Sequence, residues 1–221
     1  MLKLYGFWRS LASCRVRIAL NLKGIPFEET SINLMKGEQH ADSYKAINPE
    51  AVVPSLIIDD DPPLFQSLAI IEYIDETHPA PPLLPRDPRA RARVRGIAQI
   101  IAADTHPLIV PRVRDFLEKD FGLDEPKRMQ WIKNWSTKGL QAVEAQLARD
   151  PQTARFCHGT APTLADICVV SQVFGAQLFG FDTSGVPTVM RVFEECMKID
   201  AFERAQPLKQ PGAPAPSGAG R

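Results

Sequence analysis

Residues 48–77 read NPEAVVPSLIIDDDPPLFQSLAIIEYIDET, and the punctuation of this stretch decides how the first third of the chain folds. Asn48-Pro49 closes whatever precedes it. Val53-Pro54 follows, and an X–Pro bond takes the cis form at a small cost that other peptides do not share. Residues 55–59 are apolar enough for a strand, the Asp59-Asp60-Asp61-Pro62 run is a hairpin turn, and Pro63-Leu64-Phe65 returns beside it. Gln66-Ser67 then opens a helix over 67–77, with Ile70, Ile71, Tyr73 and Ile74 as its apolar face. A cis Pro54 would turn the Val53 backbone outward, where its N–H and C=O could pair with an extended, peptide-like ligand. Ser67 is expected to cap the helix, whose N-terminus suits a carboxylate, and Gln66 can supply an amide beside it. A plainer reading stays open here, in which Pro54 merely starts a strand and Ser67 merely caps.

Toward the N-terminus, residues 3–6 form a short strand. Residues 13–23 follow as a helix, with Val16, Ile18, Ala19, Leu20 and Leu22 set between arginines and Gly24 as its stop. A second strand covers 27–33, and a helical turn 43–47 ends at Asn48-Pro49. The order β-α-β then β-β-α predicts a mixed four-stranded sheet with helices on its faces, over residues 1–80. At the junction of the first strand and helix stands Trp8-Arg9-Ser10-Leu11-Ala12-Ser13. The free N–H groups and positive dipole end of a helix start stabilise a thiolate, and a serine hydroxyl there can donate one more hydrogen bond. The alternative for Ser10 or Ser13 is a simple N-cap.

Toward the C-terminus, residues 78–88 form a proline-rich connector that can continue neither a helix nor a central strand. Beyond it the patterns are helical throughout: 89–105, 107–121, 125–149, 163–179 and 187–198. An all-α domain over 89–210 is therefore expected, followed by a disordered tail at 211–221 rich in Pro, Gly, Ala and Ser. Thr163-Leu164-Ala165-Asp166 has the form of a capping box.

Composition narrows the function. Apolar residues make up 44% of the 221 positions, enough for a true core, and 26 basic residues balance 26 acidic ones. A neutral chain offers no electrostatic footprint for nucleic acid or an anionic membrane. The cluster Arg86, Arg89, Arg91, Arg93 and Arg95 reads as the solvated start of a helix. No secretion signal or membrane span is recognisable. Cys14, Cys157, Cys168 and Cys196 lie far apart without metal-ligand spacing, so free thiols in a reducing, cytoplasmic setting and no metal site are expected.

Taken together, these features resemble the glutathione transferase superfamily over almost the whole chain. The closer similarity is to its zeta class, which includes maleylacetoacetate and maleylpyruvate isomerases. It is carried by Phe7-Trp8-Arg9-Ser10, Arg15-Val16-Arg17-Ile18-Ala19-Leu20, Asn48-Pro49, Val53-Pro54, Gln66-Ser67-Leu68-Ala69-Ile70-Ile71-Glu72-Tyr73 and Leu83-Leu84-Pro85. The resemblance implies a thioredoxin-like α/β domain that holds glutathione and an all-α domain that shapes the pocket for a small electrophilic substrate. It also implies a homodimer. It gives Ser10 the hydrogen bond to the glutathione sulfur, Val53 before a cis Pro54 the backbone pairing with the cysteinyl unit, and Gln66 and Ser67 the γ-glutamyl end. His40 falls near the glycine carboxylate, His106 reaches the glutathione site from the helical domain, and Arg9 and Arg112 face substrate carboxylates. The implied reaction is cis–trans isomerisation of a maleyl-type diacid by reversible thiolate addition; conjugation of glutathione to an apolar electrophile is the alternative. Three departures stand out. Ala12 occupies the position of the zeta-class cysteine. Leu108, Ile109, Val110, Pro111 and Arg112 follow His106-Pro107 where an Asn and two arginines are expected, and Gln177-Leu178 replaces a further arginine.

Overall fold

A computed structural model describes residues 1–215. The chain divides into two units, one comprising Met1–Pro81 together with the segment from Asp200 onward, the other Pro82–Ile199.

In the first unit, β1 (Leu2–Gly6) lies between β2 (Glu28–Ser31) and β3 (Ser55–Ile58), and β4 (Leu64–Phe65) completes the sheet in the order β2-β1-β3-β4. β1 pairs parallel with β2 and antiparallel with β3, and β3 pairs antiparallel with β4. This is the expected mixed four-stranded sheet. Helix α1 (Leu11–Leu22) is buried from Leu11 to Leu20. It packs between α3 (Ser67–Thr77) and the short α9 (Asp200–Arg204), where Asn21 Nδ2 donates to the Ala201 carbonyl at 3.1 Å. Asp200 onward therefore groups with the first unit, and the helical domain drawn to residue 210 loses its last segment to the α/β side. A short helix, α2 (Asp42–Lys45), precedes the Asn48 turn.

The arginines of α1 depart from the amphipathic reading. Arg15 and Arg17 are 2% and 1% exposed. Arg17 forms a fork on Glu29 of β2, with Nε to Oε2 at 2.8 Å and Nη2 to Oε1 at 2.5 Å. A buried guanidinium is tolerated because a bidentate carboxylate and the Phe7 carbonyl engage its Nε and Nη2, while Nη1 has no partner among the described residues.

The second unit is helical: α4 (Pro88–Gln99), α5 (Pro111–Lys119), α6 (Glu125–Arg149), α7 (Leu164–Leu178) and α8 (Pro187–Met197). α7 is buried on every side from Leu164 to Ala176 and forms the centre. Its start is fixed by Asp166, whose carboxylate accepts from the N–H groups of Thr163 (2.8 Å) and Cys157 (2.7 Å) and from the Thr163 hydroxyl (2.7 Å). Burial pushes the Asp166 carboxyl up against the opposing pull of these bonds. The helix expected over 89–105 ends at Gln99 and continues as a π-helix, Ile100–Thr105. There the Thr105 hydroxyl donates to the Ile100 carbonyl at 2.6 Å, and Gly139 of α6 sits so close to Thr105 that a Cβ would collide with its side chain. The helix expected from 107 starts instead at Pro111, which supplies a fixed φ at the first helical position. Arg93 is not a solvated residue: its guanidinium binds Asp150, Thr153 and the Cys157 carbonyl.

Of the tail expected to be disordered, 211–215 begin with a turn in which Ala213 N–H donates to the Gln210 carbonyl at 3.1 Å. Residues 216–221 lie outside the described residues. No described helix is long and apolar enough to cross a membrane.

Candidate active site

Sheet register brings three loop segments to one end of the first unit. Tyr5 of β1 lies opposite Ser55 of β3, and Ser55 lies opposite Phe65 of β4. The strands therefore deliver Phe7–Ser10, Val53–Pro54 and Gln66–Ser67 side by side. Adjacent strands are spaced about 4.8 Å apart, so the outer two segments are separated by roughly 10 Å.

The first segment is a turn locked at Phe7. The Phe7 carbonyl accepts from Ser10 N–H at 3.0 Å and from Arg17 Nη2 at 2.9 Å, and the Phe7 N–H donates to Ser13 Oγ at 3.4 Å. Ser10 takes the extended N-cap conformation, and its Oγ accepts from Ser13 N–H at 3.1 Å. A hydroxyl keeps one proton to donate beside its accepting lone pairs, so capping leaves the Ser10 O–H available to an outside acceptor. Capping and a role in chemistry are thus compatible at this residue. The first turn of α1 adds N–H groups with no intrahelical acceptor and the positive end of the helix dipole. Arg9, half-buried, belongs to the same turn. Cys14 does not: it is fully buried, its thiol donates to the Ala205 carbonyl at 3.5 Å, and desolvation raises its pKa to about 12.

The second segment hangs from two side chains: Tyr44, which the sequence reading did not name, and Asn48, named there only with Pro49 as a boundary and a family motif. Tyr44 Oη donates to the Val52 carbonyl at 2.7 Å, and Asn48 Nδ2 donates to the same carbonyl at 2.9 Å. Both also reach the buried Ser55 hydroxyl, at 3.1 and 3.2 Å. Burial holds the Tyr44 phenol above its ordinary range. The Val53–Pro54 bond is cis. The Val53 side chain packs into a cluster with Phe7 and Tyr44, flanked by Trp8 and Ile47. Among the described residues its N–H and C=O have no hydrogen-bond partner.

In the third segment the cap position is Gln66, not Ser67. Gln66 has φ 65° and ψ 115°, a left-handed value that costs a non-glycine residue about 1–3 kcal/mol and recurs at ligand sites. Its Nε2 donates to Glu50 Oε2 at 2.9 Å. Ser67 is the first helical residue and 6% exposed, and its hydroxyl has no partner among the described residues.

The remaining expected residues are placed separately. His40 ends a short 3₁₀ turn, Glu38–His40, where its ring lies 3.1 Å from Gln39 Nε2. In the second unit, half-buried His106 opens the turn that follows the π-helix, and exposed Arg112 is the second residue of α5. Also there, Arg114 lies 6.0 Å from the ring centre of Phe179, which stacks on Phe181.

Comparison with known proteins identifies the family. The family model for the glutathione S-transferase N-terminal domain matches residues 4–82. Maleylpyruvate isomerase of Ralstonia sp is 45% identical over 210 residues, which span 95% of this chain and 99% of that protein. The crystal structure of maleylacetoacetate isomerase from Methylobacterium extorquens AM1, with bound malonate and GSH, is 51% identical with a TM-score of 0.95, covering 96% of this chain and 100% of that one. A holo structure of maleylpyruvate isomerase, described as a bacterial zeta-class glutathione S-transferase, is 44% identical with a TM-score of 0.93, at 96% and 100% coverage. The chain belongs to the glutathione S-transferase family, in its zeta class.

Proposed function

We propose that the protein is a glutathione-dependent cis–trans isomerase acting on a maleyl-type unsaturated diacid such as maleylacetoacetate or maleylpyruvate. The observation that carries this reading is the register that sets Ser10, the Val53 backbone and Ser67 in a row at one end of the sheet. An extended chain advances about 3.3–3.6 Å per residue, so a row roughly 10 Å long suits the stretch from a cysteinyl sulfur to a γ-glutamyl α-carbon. The donors fit in that order: a hydroxyl and helix N-terminus for a thiolate, unpaired peptide groups for a peptide unit, and a second helix N-terminus for a carboxylate.

Bound glutathione supplies the nucleophilic thiolate, which adds to the substrate double bond and leaves again. The protein's task is to favour the ionised thiol and to hold the diacid. Ser10 and the start of α1 do the first, since a helix N-terminus lowers thiol pKa. Arg9, in the same turn, is suited to negative charge that develops on the substrate. Arg112 and His106 are assigned to the substrate carboxylate and the glutathione, and His40 to the glycine carboxylate. No enzyme thiol is required, in keeping with Ala12 and the buried Cys14. In the same reading the protein works as a cytoplasmic homodimer.

The test is an assay with glutathione at catalytic concentration: the maleyl substrate disappears while free thiol stays constant. A second reading, conjugation to an apolar electrophile, is favoured by the half-buried, apolar Val110, Leu178 and Phe179. Loss of thiol in step with a chlorinated aromatic, without isomerase turnover, would establish that reading instead.

A further inference from the structure

We propose that Glu50 binds the α-ammonium of the γ-glutamyl group, so that this end of the site recognises an amino-acid zwitterion and not a carboxylate alone. The inference rests on the glutathione reading above and extends it to a residue outside the expected set.

Four observations carry it. Glu50 is exposed, and its Oε2 accepts from Gln66 Nε2, which places the carboxylate one residue from the start of α3. It has no cationic partner among the described residues, and its Oε1 is unbonded there. Three other carboxylates of this unit are occupied: Glu29 by Arg17, Glu38 by the Asn33 N–H, and Asp59 by the Met1 ammonium. Finally, Glu50 is held in place, because its N–H donates to Asn48 Oδ1 at 3.1 Å and Asn48 is anchored to Val52 and Ser55.

The donor–acceptor inventory then sorts itself. With one N–H of Nε2 committed to Glu50, Gln66 keeps its Oε1 as an acceptor beside the remaining N–H. Glu50 adds carboxylate oxygens, which accept only. An ammonium has three donors and no acceptor, and it matches this pair. Ser67 and the first turn of α3 present donors, and those match the α-carboxylate. Positive and negative ends of one amino-acid head thus meet complementary groups on the two sides of residue 66.

Calorimetric titration with two ligands tests the assignment: glutathione, and the analogue in which the γ-glutamyl amino group is replaced by hydrogen. The wild-type protein should prefer glutathione by about two- to fivefold, the scale of an exposed ion pair. Glu50→Gln should erase most of that preference by weakening glutathione, with the analogue's affinity changed less than about twofold. Parallel weakening of both ligands would mean that Glu50 only orients Gln66, and would overturn the proposal. An unchanged preference in Glu50→Gln, or equal binding of both ligands by the wild type, would also overturn it while leaving the glutathione reading intact. If the wild type binds neither ligand, the glutathione reading itself fails and takes this inference with it.

Discussion

Replacing Ser10 by alanine separates two roles that its hydroxyl holds at once. As an N-cap, Oγ accepts from Ser13 N–H at 3.1 Å, and removing such a cap costs about 1 kcal/mol. In a chain of this size that lowers the melting temperature by roughly 2–4 °C. As a donor to the bound thiolate, the same hydroxyl makes a charge-assisted hydrogen bond of about 1.5–3 kcal/mol. At 1.36 kcal/mol per unit, its loss should raise the pKa of the bound thiol by about one to two units. Turnover near neutral pH should then fall by about 10²-fold, as for other removed anion donors, with a much smaller change in glutathione affinity. Two further variants divide the effects. Ser10→Thr retains cap and proton and should stay near wild type in both measurements. Ser10→Asp retains an accepting cap without a proton and sets negative charge against the thiolate, so it should melt near wild type yet ionise the thiol least. The assays are a thermal melt, an ultraviolet titration of thiolate absorbance in the complex, and initial rates. The reasoning fails if Ser10→Ala melts lower but keeps the wild-type thiol pKa and turnover, or if turnover and affinity fall equally.

Two other expectations come from buried groups. Arg17→Met should destabilise the protein by about 3–5 kcal/mol in urea titration, because Glu29 is left with an uncompensated charge. The double variant Arg17→Met/Glu29→Met should recover much of that loss; equal instability of single and double variants would show that the pair is not the cause. All four cysteines are buried, and burial raises the thiol pKa of Cys14, Cys157 and Cys196. The native protein should therefore leave a thiol-reactive dye unconsumed near neutral pH and keep its activity after alkylation, whereas the denatured chain should react at all four. A fast-reacting thiol in the native state would contradict the assignment of Cys14 as inert.

What could be read from the sequence was what short-range chemistry writes there. Proline and glycine mark element ends through φ alone, so Gly24, Pro54 and the connector after His78 located their boundaries without tertiary information. The three site segments were legible for the same reason, since each sits where a strand meets a helix or a proline. What escaped depends on contacts distant along the chain. Arg17 reads only as a polar interruption of the helical pattern until Glu29 and the Phe7 carbonyl are placed beside it. Tyr44 and Asn48 became site residues only when the Val52 carbonyl was seen to need both donors. The helical pattern over 89–105 cannot distinguish an i+4 from an i+5 turn, and it carries no sign of the distant Gly139, beside which Thr105 at the end of the π-helix packs too closely for any Cβ. The cap of α3 fell on Gln66 because a left-handed residue there, which a helical periodicity cannot foretell, ends β4 and redirects the chain.

The same contacts explain why the site is encoded in register more than in any one motif. A one-residue slip between β1 and β3 would turn every side chain of β3 to the opposite face. Val53 would leave its cluster with Phe7 and Tyr44, and its N–H and C=O, unpaired among the described residues, would be turned out of their present setting. Leu4 opposite Leu56, both fully buried, opposes such a slip through the apolar core. Ser55 opposes it through polarity: its buried hydroxyl is satisfied by Tyr44 and Asn48 only in this pairing, and stranding a buried hydroxyl costs about 1–3 kcal/mol. The polar side chains that oppose a slip are therefore the ones that anchor the 52–55 loop. An alanine at position 12 leaves this arrangement untouched, because its side chain offers no hydrogen bond, whereas Tyr44, Asn48 and Ser55 add side-chain hydrogen bonds to the backbone ladder.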